Sequence, residues 1–422
     1  MSRNIVPRVN KGADLGTPEK NWNRVYADNI FLSGDSLKTI LNNKADLELL
    51  MAKGDLYTAT GPGTIARLPV GPDGYVLKAN SGVPEGIIWG PAGARQELTG
   101  NITVLVGETG DFPTINDALE NIVALYYPKY ISGGNCPKVT IKLLPGFIMA
   151  EQVLVESLDL SWITITSDEP ETLVVRSALT TQGPSHNFGG PFSWPVFGAY
   201  NGGFLPIIGQ LFNMDSSGSG AYLPHTHGVF VFNNSRAIVL SGCGVKHSIT
   251  NIYAVNSSIV EASGANLIES SNASIQATNG SIVNAPNITS SALEVNFNII
   301  ARYNSIVNVD HGTVSGSRAI QANYNSFVNA NNIIVNGCSH GIRASNNSII
   351  NANDANMTAC TADNTHSIWA EYGSFINAQN ANVERPVYVR NGSIVNANGL
   401  TGSLMQTPNI ITKDGIIFRA TE

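Results

Sequence analysis

The chain has 422 residues, 43% of them hydrophobic and 13% charged, so it can bury a sizeable core and has room for two or three domains. Its formal net charge of −7, with no Lys/Arg run, argues against a nucleic-acid partner. The start, Met1-Ser2-Arg3-Asn4-Ile5-Val6-Pro7, lacks the apolar core of a signal peptide, and no run of 18 apolar residues occurs. The expectation is a chain made in a cytoplasm, without membrane insertion.

Residues 1–34 read as an extended arm with too few apolar residues for a core of its own. Trp22, Tyr26 and Phe31 would be exposed there unless another chain covers them, which makes them candidates for an attachment contact. Over 35–53, Asp35-Ser36 reads as a helix cap, followed by Leu37, Ile40, Leu41, Ala45 and Leu49 at roughly helical spacing. A short helix with one apolar stripe is marginal alone and suits a bundle of identical helices. Residues 54–95 form a Gly/Pro-rich β module, in which Asp73-Gly74 between apolar runs signals a hairpin. The spacing of Gly61-Pro62-Gly63 and Gly71-Pro72-Asp73-Gly74 fits no phosphate loop, so both read as turns.

The arm around Trp22-Asn23-Arg24-Val25-Tyr26-Ala27 and the module Arg67-Leu68-Pro69-Val70-Gly71, Asp73-Gly74 and Val76-Leu77 resemble segments common in tail fibres and tailspikes of tailed bacteriophages. The resemblance covers about the first quarter of the chain. It implies a homotrimeric protein of the virion tail, joined to other tail or baseplate proteins through its N-terminal region.

Residues 96–137 hold a strand, Ile102–Val106, then Asp111-Phe112-Pro113-Thr114-Ile115 leading into an amphipathic helix with Ile115, Leu119 and Ile122 on one face. This pattern also resembles the helix that closes the open end of pectate-lyase-like phage β-helices. An uncovered first coil would be an aggregation edge. From 138 to 415 strands follow densely, interrupted at 180–227 by an aromatic, Gly- and Pro-rich stretch that reads as an insertion. Residues 416–422 are left as a tail.

Within the last 170 residues a five-residue motif recurs: Ser258–Ala262, Ser281–Ala285, Ser305–Val309, Ser326–Ala330, Ser348–Ala352, Ser374–Ala378 and Ser393–Ala397. The serines are spaced by 23, 24, 21, 22, 26 and 19 residues, a solenoid period. Six residues before each serine stands an apolar residue (Ile252, Ile275, Ile299, Ile320, Ile342, Ile368, Val387), then an Asn- or Gly-rich turn. β-branched runs without helical period make the unit a coil of strands. Three strands per coil and an irregular period predict an all-β chain, a right-handed parallel β-helix. Asn284, Asn308, Asn329, Asn351, Asn377 and Asn396 would stack as an amide ladder. The motif's strand is apolar on both faces (Ile282 beside Val283, Ile306 beside Val307), and a trimer axis would cover the outer one.

Two outward rows precede each turn: Tyr253, Gln276, Ile300, Gln321, Arg343, Trp369, Tyr388, and two residues on Val255, Thr278, Arg302, Asn323, Ser345, Glu371, Arg390. Rings, guanidinium groups and amides on a rigid sheet suit a saccharide, so Tyr253, Gln276, Arg302, Gln321, Arg343, Trp369, Tyr388 and Arg390 are candidates for glycan binding. A solvated or inter-chain face is the bland alternative.

Hydrolysis of a polysaccharide needs two carboxylates about 5–9.5 Å apart. Residues 230–400 hold eight acids, of which Asp310, Asp354, Asp363, Glu371 and Glu384 are the candidates. Asp310 and Asp354, read at one place in the repeat two coils apart, would lie about 9.6 Å from each other. His225-Thr226-His227 puts two imidazoles on one side of a strand, the sequence's sole metal-site candidate. His247, His311, His340 and His366 read as hydrogen-bonding turn residues. Cys338 and Cys360, each 12 residues after a repeat serine, should stack on adjacent coils as reduced thiols, with a disulfide as the alternative. With no zinc spacing and no Gly-x-Ser-x-Gly, no cofactor is expected. The function expected is receptor binding to a host surface polysaccharide. The alternatives are a depolymerase of the same architecture, tested by release of sugar ends, and a structural baseplate or head appendage, tested by absence of host binding.

Overall fold

The computed structural model describes residues 31–32, 35–36, 51–73, 75–91, 95–129, 136–183, 194–214, 226–360, 366–402 and 410–418. The chain divides into two compact units, Met1–Ala94 and Arg95–Glu422.

In the first unit, Asp35–Ser36, read as a helix cap, pairs antiparallel with Phe31–Leu32. The expected helix after Ser36 lies outside the described residues, as do Trp22 and Tyr26. The β module is two antiparallel hairpins, Leu56–Gly61 with Thr64–Leu68 and Tyr75–Ala79 with Ile87–Pro91. Asp73-Gly74 therefore falls between hairpins rather than at a tip; the first tip is Pro62-Gly63, where Gly63 takes φ 71°. Asp55 ties the module together. Its carboxylate accepts from Arg67 Nε at 2.7 Å and from the amides of Met51, Ala52 and Val70 at 2.8–3.0 Å. The Arg67 guanidinium holds this carboxyl well below the usual carboxylate range.

The second unit is a parallel β-solenoid; every strand pair described in it is parallel. A short ladder runs from Arg236–Ile238 through Ile306–Asn308 to Ile416–Phe418, nine strands in register. A broad ladder runs from Val153–Glu156 through Thr250–Val255 to Ile410–Lys413. A third set begins at Ile102–Val106 and merges with the broad ladder where Thr289–Arg302 and Thr313–Asn323 bend without a break. Like stacks on like along the axis. Val260, Val283, Val307, Val328, Ile350, Ile376 and Val395 are all buried, as are the Ile and Ala columns of the broad ladder. Helix Ile115–Leu125 caps the first coils through Ile115, Ala118, Leu119 and Ile122, and Thr114 is its N-cap.

Where it is described, the stretch expected as an insertion at 180–227 carries coil strands. Trp194–Tyr200 pairs with Val153–Glu156 and Thr226–Phe232, and Ile207–Met214 pairs with Ile163–Val174. Phe197 and Phe212 are buried with ring centroids 5.0 Å apart. These aromatics fill a coil cross-section that later coils fill with Ile, Val and Ala.

The turn before each repeat serine uses two successive residues at positive φ, as at Asn256-Ser257, Asn279-Gly280 and Asn346-Asn347. The serine itself is buried in every coil. Its hydroxyl oxygen accepts the amide of the serine one coil earlier, unbroken from Ser235 to Ser393, at 3.1–3.3 Å. Each such bond contributes about 1 kcal/mol, and each amide stranded without it would cost roughly 1–3 kcal/mol. Three of the five links of the expected asparagine ladder are present among the described hydrogen bonds: Asn308 donates to Asn284 at 2.9 Å, Asn329 to Asn308 at 3.0 Å and Asn396 to Asn377 at 2.8 Å.

One cap of the solenoid carries a titratable group. The Glu151 carboxylate accepts the Ile115 and Asn116 amides at 2.7 and 2.9 Å, at the start of the capping helix. Burial raises its pKa above the ordinary value, against the pull of those two amides. A raised folded-state pKa contributes stability that is complete below the unfolded-state value and lost as pH rises through the folded one. Thermal midpoints measured from pH 4 to 7 should therefore shift in favour of Glu151→Gln, relative to wild type, as pH increases. A constant gap across that range would show that Glu151 does not titrate there.

Candidate functional site

The outward row of the broad ladder is in register as the repeat requires: Tyr253, Gln276, Ile300, Gln321, Arg343, Trp369 and Tyr388 are successive Cα partners. It does not form one exposed face. Tyr253 is buried, with its ring 5.6 Å from Phe230 and 5.0 Å from His227, in a cluster that includes Tyr200 and Phe232. Burial pushes the Tyr253 phenol well above its usual range. Ile300 and Gln321 are buried too, Ile300 against Phe297. Tyr253 and Gln321 are therefore withdrawn as saccharide contacts, because large neighbours on adjacent coils cover an outward position. Gln276 stays half-buried in the same row. Arg302 is half-buried, giving Nη2 to Gln321 Oε1 at 3.5 Å.

The row opens towards its C-terminal end. Trp369 and Tyr388 are half-buried and meet edge to face, centroids 5.7 Å apart. The Arg343 guanidinium lies over Trp369 at 4.4 Å, and that of Arg390 lies within 5.7 Å of Trp369, Tyr372 and Tyr388. Glu371 holds the two arginines in place. Its side chain is 0% exposed, against 29% and 31% for Arg343 and Arg390. Oε1 accepts Nε of Arg343 at 3.0 Å and also its Nη2; Oε2 accepts Nε and Nη2 of Arg390 at 3.0 and 2.5 Å. Such side-on pairs fix both guanidinium planes.

His340 and His366 belong to this cluster, contrary to their reading as isolated turn residues. Arg318 and His340 are strand partners, and His366 follows one coil later. The His366 ring lies 5.3 Å from Trp369 and 5.0 Å from Tyr388. Burial lowers the pKa of both histidines, helped at His340 by Arg318, His366 and Arg343. This column sits three residues before the outward row, at the bend, where period-two alternation gives no signal.

The carboxylate candidates do not converge. Both Glu371 oxygens are occupied by guanidinium donors, an arrangement for orientation rather than proton transfer. Asp310 and Asp354 do not share a place in the repeat. Asp310 stacks with Asn331 and Asn353, whereas Asp354 stands one residue on, at positive φ, in line with His311 and Asn332. The error is one of counting from the serine, five residues against six. Asp310 pairs with His311 Nδ1 at 3.1 Å, and Asp354 is exposed. Glu384 is half-buried next to Arg385, and both charges reach the Cys360 thiol. Asp363 lies outside the described residues.

His225 also lies outside them. His227 is buried and stacks on Phe230 at 5.6 Å, and among the described residues no three His, Cys, Asp or Glu side chains gather as a metal site. Cys338 and Cys360 are buried free thiols, each pushed up to about 12 by burial. What the cluster offers chemically is an aromatic platform edged by fixed guanidinium donors. No protein-family model and no curated protein sequence matches this chain.

Proposed function

We propose that the chain is a receptor-binding tail spike or tail fibre of a tailed bacteriophage. In this reading it is a homotrimeric, right-handed parallel β-helix of three strands per coil that grips a host surface glycan. The virion tail is its place of action, and the N-terminal region, with Trp22, Tyr26 and Phe31, is the contact to other tail or baseplate proteins. The observation that carries the reading is the platform of Trp369 and Tyr388 edged by Arg343 and Arg390. A pyranose presents an apolar face that stacks on such rings and hydroxyls that accept from such donors. The trimer draws support from the outer side of the short ladder. There Ile306 and Ile349 are 41% exposed and Ile416 53%, in one line with Ile259, Ile282, Phe327, Phe375 and Ile394. A monomer would leave that apolar stripe in water.

The test is a binding assay of the full chain against a panel of bacterial envelope polysaccharides, with released sugar ends measured in parallel. Binding without release is expected, and Trp369→Ala/Tyr388→Ala should weaken it by about tenfold or more, the scale of two lost ring contacts. A folded trimer that binds no member of the panel would refute the reading, and released ends would replace it with a depolymerase.

A further inference from the structure

The half-exposed part of the broad ladder is far more cationic than the chain that carries it. Arg302, Arg318, Arg343 and Arg390 stand there, and Glu371 answers two of them, in a protein of net charge −7. Arg318 is half-buried and packs its guanidinium carbon 5.6 Å from the Phe297 ring, with no hydrogen bond or ion pair among the described residues. The buried Nε of Arg302 has no partner there either. Arg343 and Arg390 give Nε and Nη2 to Glu371, which leaves each Nη1 without an acceptor among the described residues. Trp369 Nε1, between them, is likewise buried without a partner. Glu384 offsets its neighbour Arg385, so neither enters the count.

We infer that the glycan this face takes is an acidic one, its sugar ring on Trp369 and Tyr388 and its oxyanion substituents on Arg318 and the free edges of Arg343 and Arg390. This rests on the glycan-binding reading above. Guanidinium groups already fixed by Glu371 lose little rotamer freedom on meeting an oxyanion, and a planar carboxylate matches their remaining N–H edge. An arginine with no acceptor among the described residues, beside a second one, gains from an oxyanion a neutralising charge that the hydroxyls of a neutral sugar do not supply.

The experiment titrates the full chain with a polyuronate (alginate), its carboxyl-reduced derivative, a phosphomannan, dextran, and envelope polysaccharides of assayed uronate and phosphate content. Binding should be confined to the oxyanion-bearing polymers; alginate against phosphomannan tells which oxyanion is preferred. Affinity should fall by about tenfold between roughly 0.05 and 0.5 M salt. Arg318→Gln should weaken it by about threefold and move the thermal midpoint little, since among the described residues Arg318 has no hydrogen bond or ion pair and only its contact with the Phe297 ring is lost. Equal binding of dextran or the carboxyl-reduced polymer, or salt-independent binding, would overturn the acidic ligand and leave a glycan-binding face. Binding to none of these polymers would overturn both.

Discussion

An Arg343→Met/Arg390→Met double variant is expected to lose about 3–5 kcal/mol of stability, the cost of leaving a buried charge without its partner. The fully buried Glu371 side chain receives all four of its described side-chain hydrogen bonds from those two guanidiniums. Methionines in their place would still cover the carboxylate while giving it no donor. Adding Glu371→Leu to the double variant should restore most of the loss, because an apolar triad of similar volume needs no solvation. The three sites share one network, so their effects will not add. Denaturant titration with a probe at Trp369 checks both arms. A double variant within about 1 kcal/mol of wild type would mean that Glu371 is reached by solvent.

Acidifying the stripe on the short ladder should change assembly rather than fold. Ile306→Glu/Ile349→Glu places charges on outward positions, so circular dichroism should stay that of a β protein. If the proposed trimer closes on this stripe, sedimentation should then report a monomer in its place, because each carboxylate buried between subunits costs several kcal/mol. Val307→Glu, one residue along the same strand but pointing inward, should instead unfold its coil. A double variant that remains trimeric would remove the stripe as the subunit contact.

Most of the solenoid was legible because stacking like on like writes itself into the chain as repetition. The Ile252, Ile275 and Ile299 column and the asparagine ladder both follow from spacing alone. The coil at 194–214 was not legible, since Phe197 and Phe212 fill it without the five-residue motif, and bulky rings amid Gly and Pro imitate a loop. In the candidate site, Arg343, Trp369, Tyr388 and Arg390 were found by alternation. Tyr253 and Gln321 were misplaced by the same rule, which tells inside from outside but not outside from exposed. Arg318, His340 and His366 were missed at a bend where alternation lapses. The repeat serines gave only the period of the repeat, because a hydroxyl next to Asn and Gly gives no hint that its oxygen serves another coil.

That serine chain gives the fold a direction. Every link borrows its acceptor from the coil that follows, so a polypeptide growing from its N-terminus always has one amide waiting, and only the arrival of the next turn answers it. Ser393 ends the sequence of debts by turning its own amide back to the Arg390 carbonyl at 3.2 Å. Excising a whole unit between two equivalent serines would leave no donor stranded. Such a spliced chain should fold one storey shorter, whereas a cut half a unit out of phase should not fold at all.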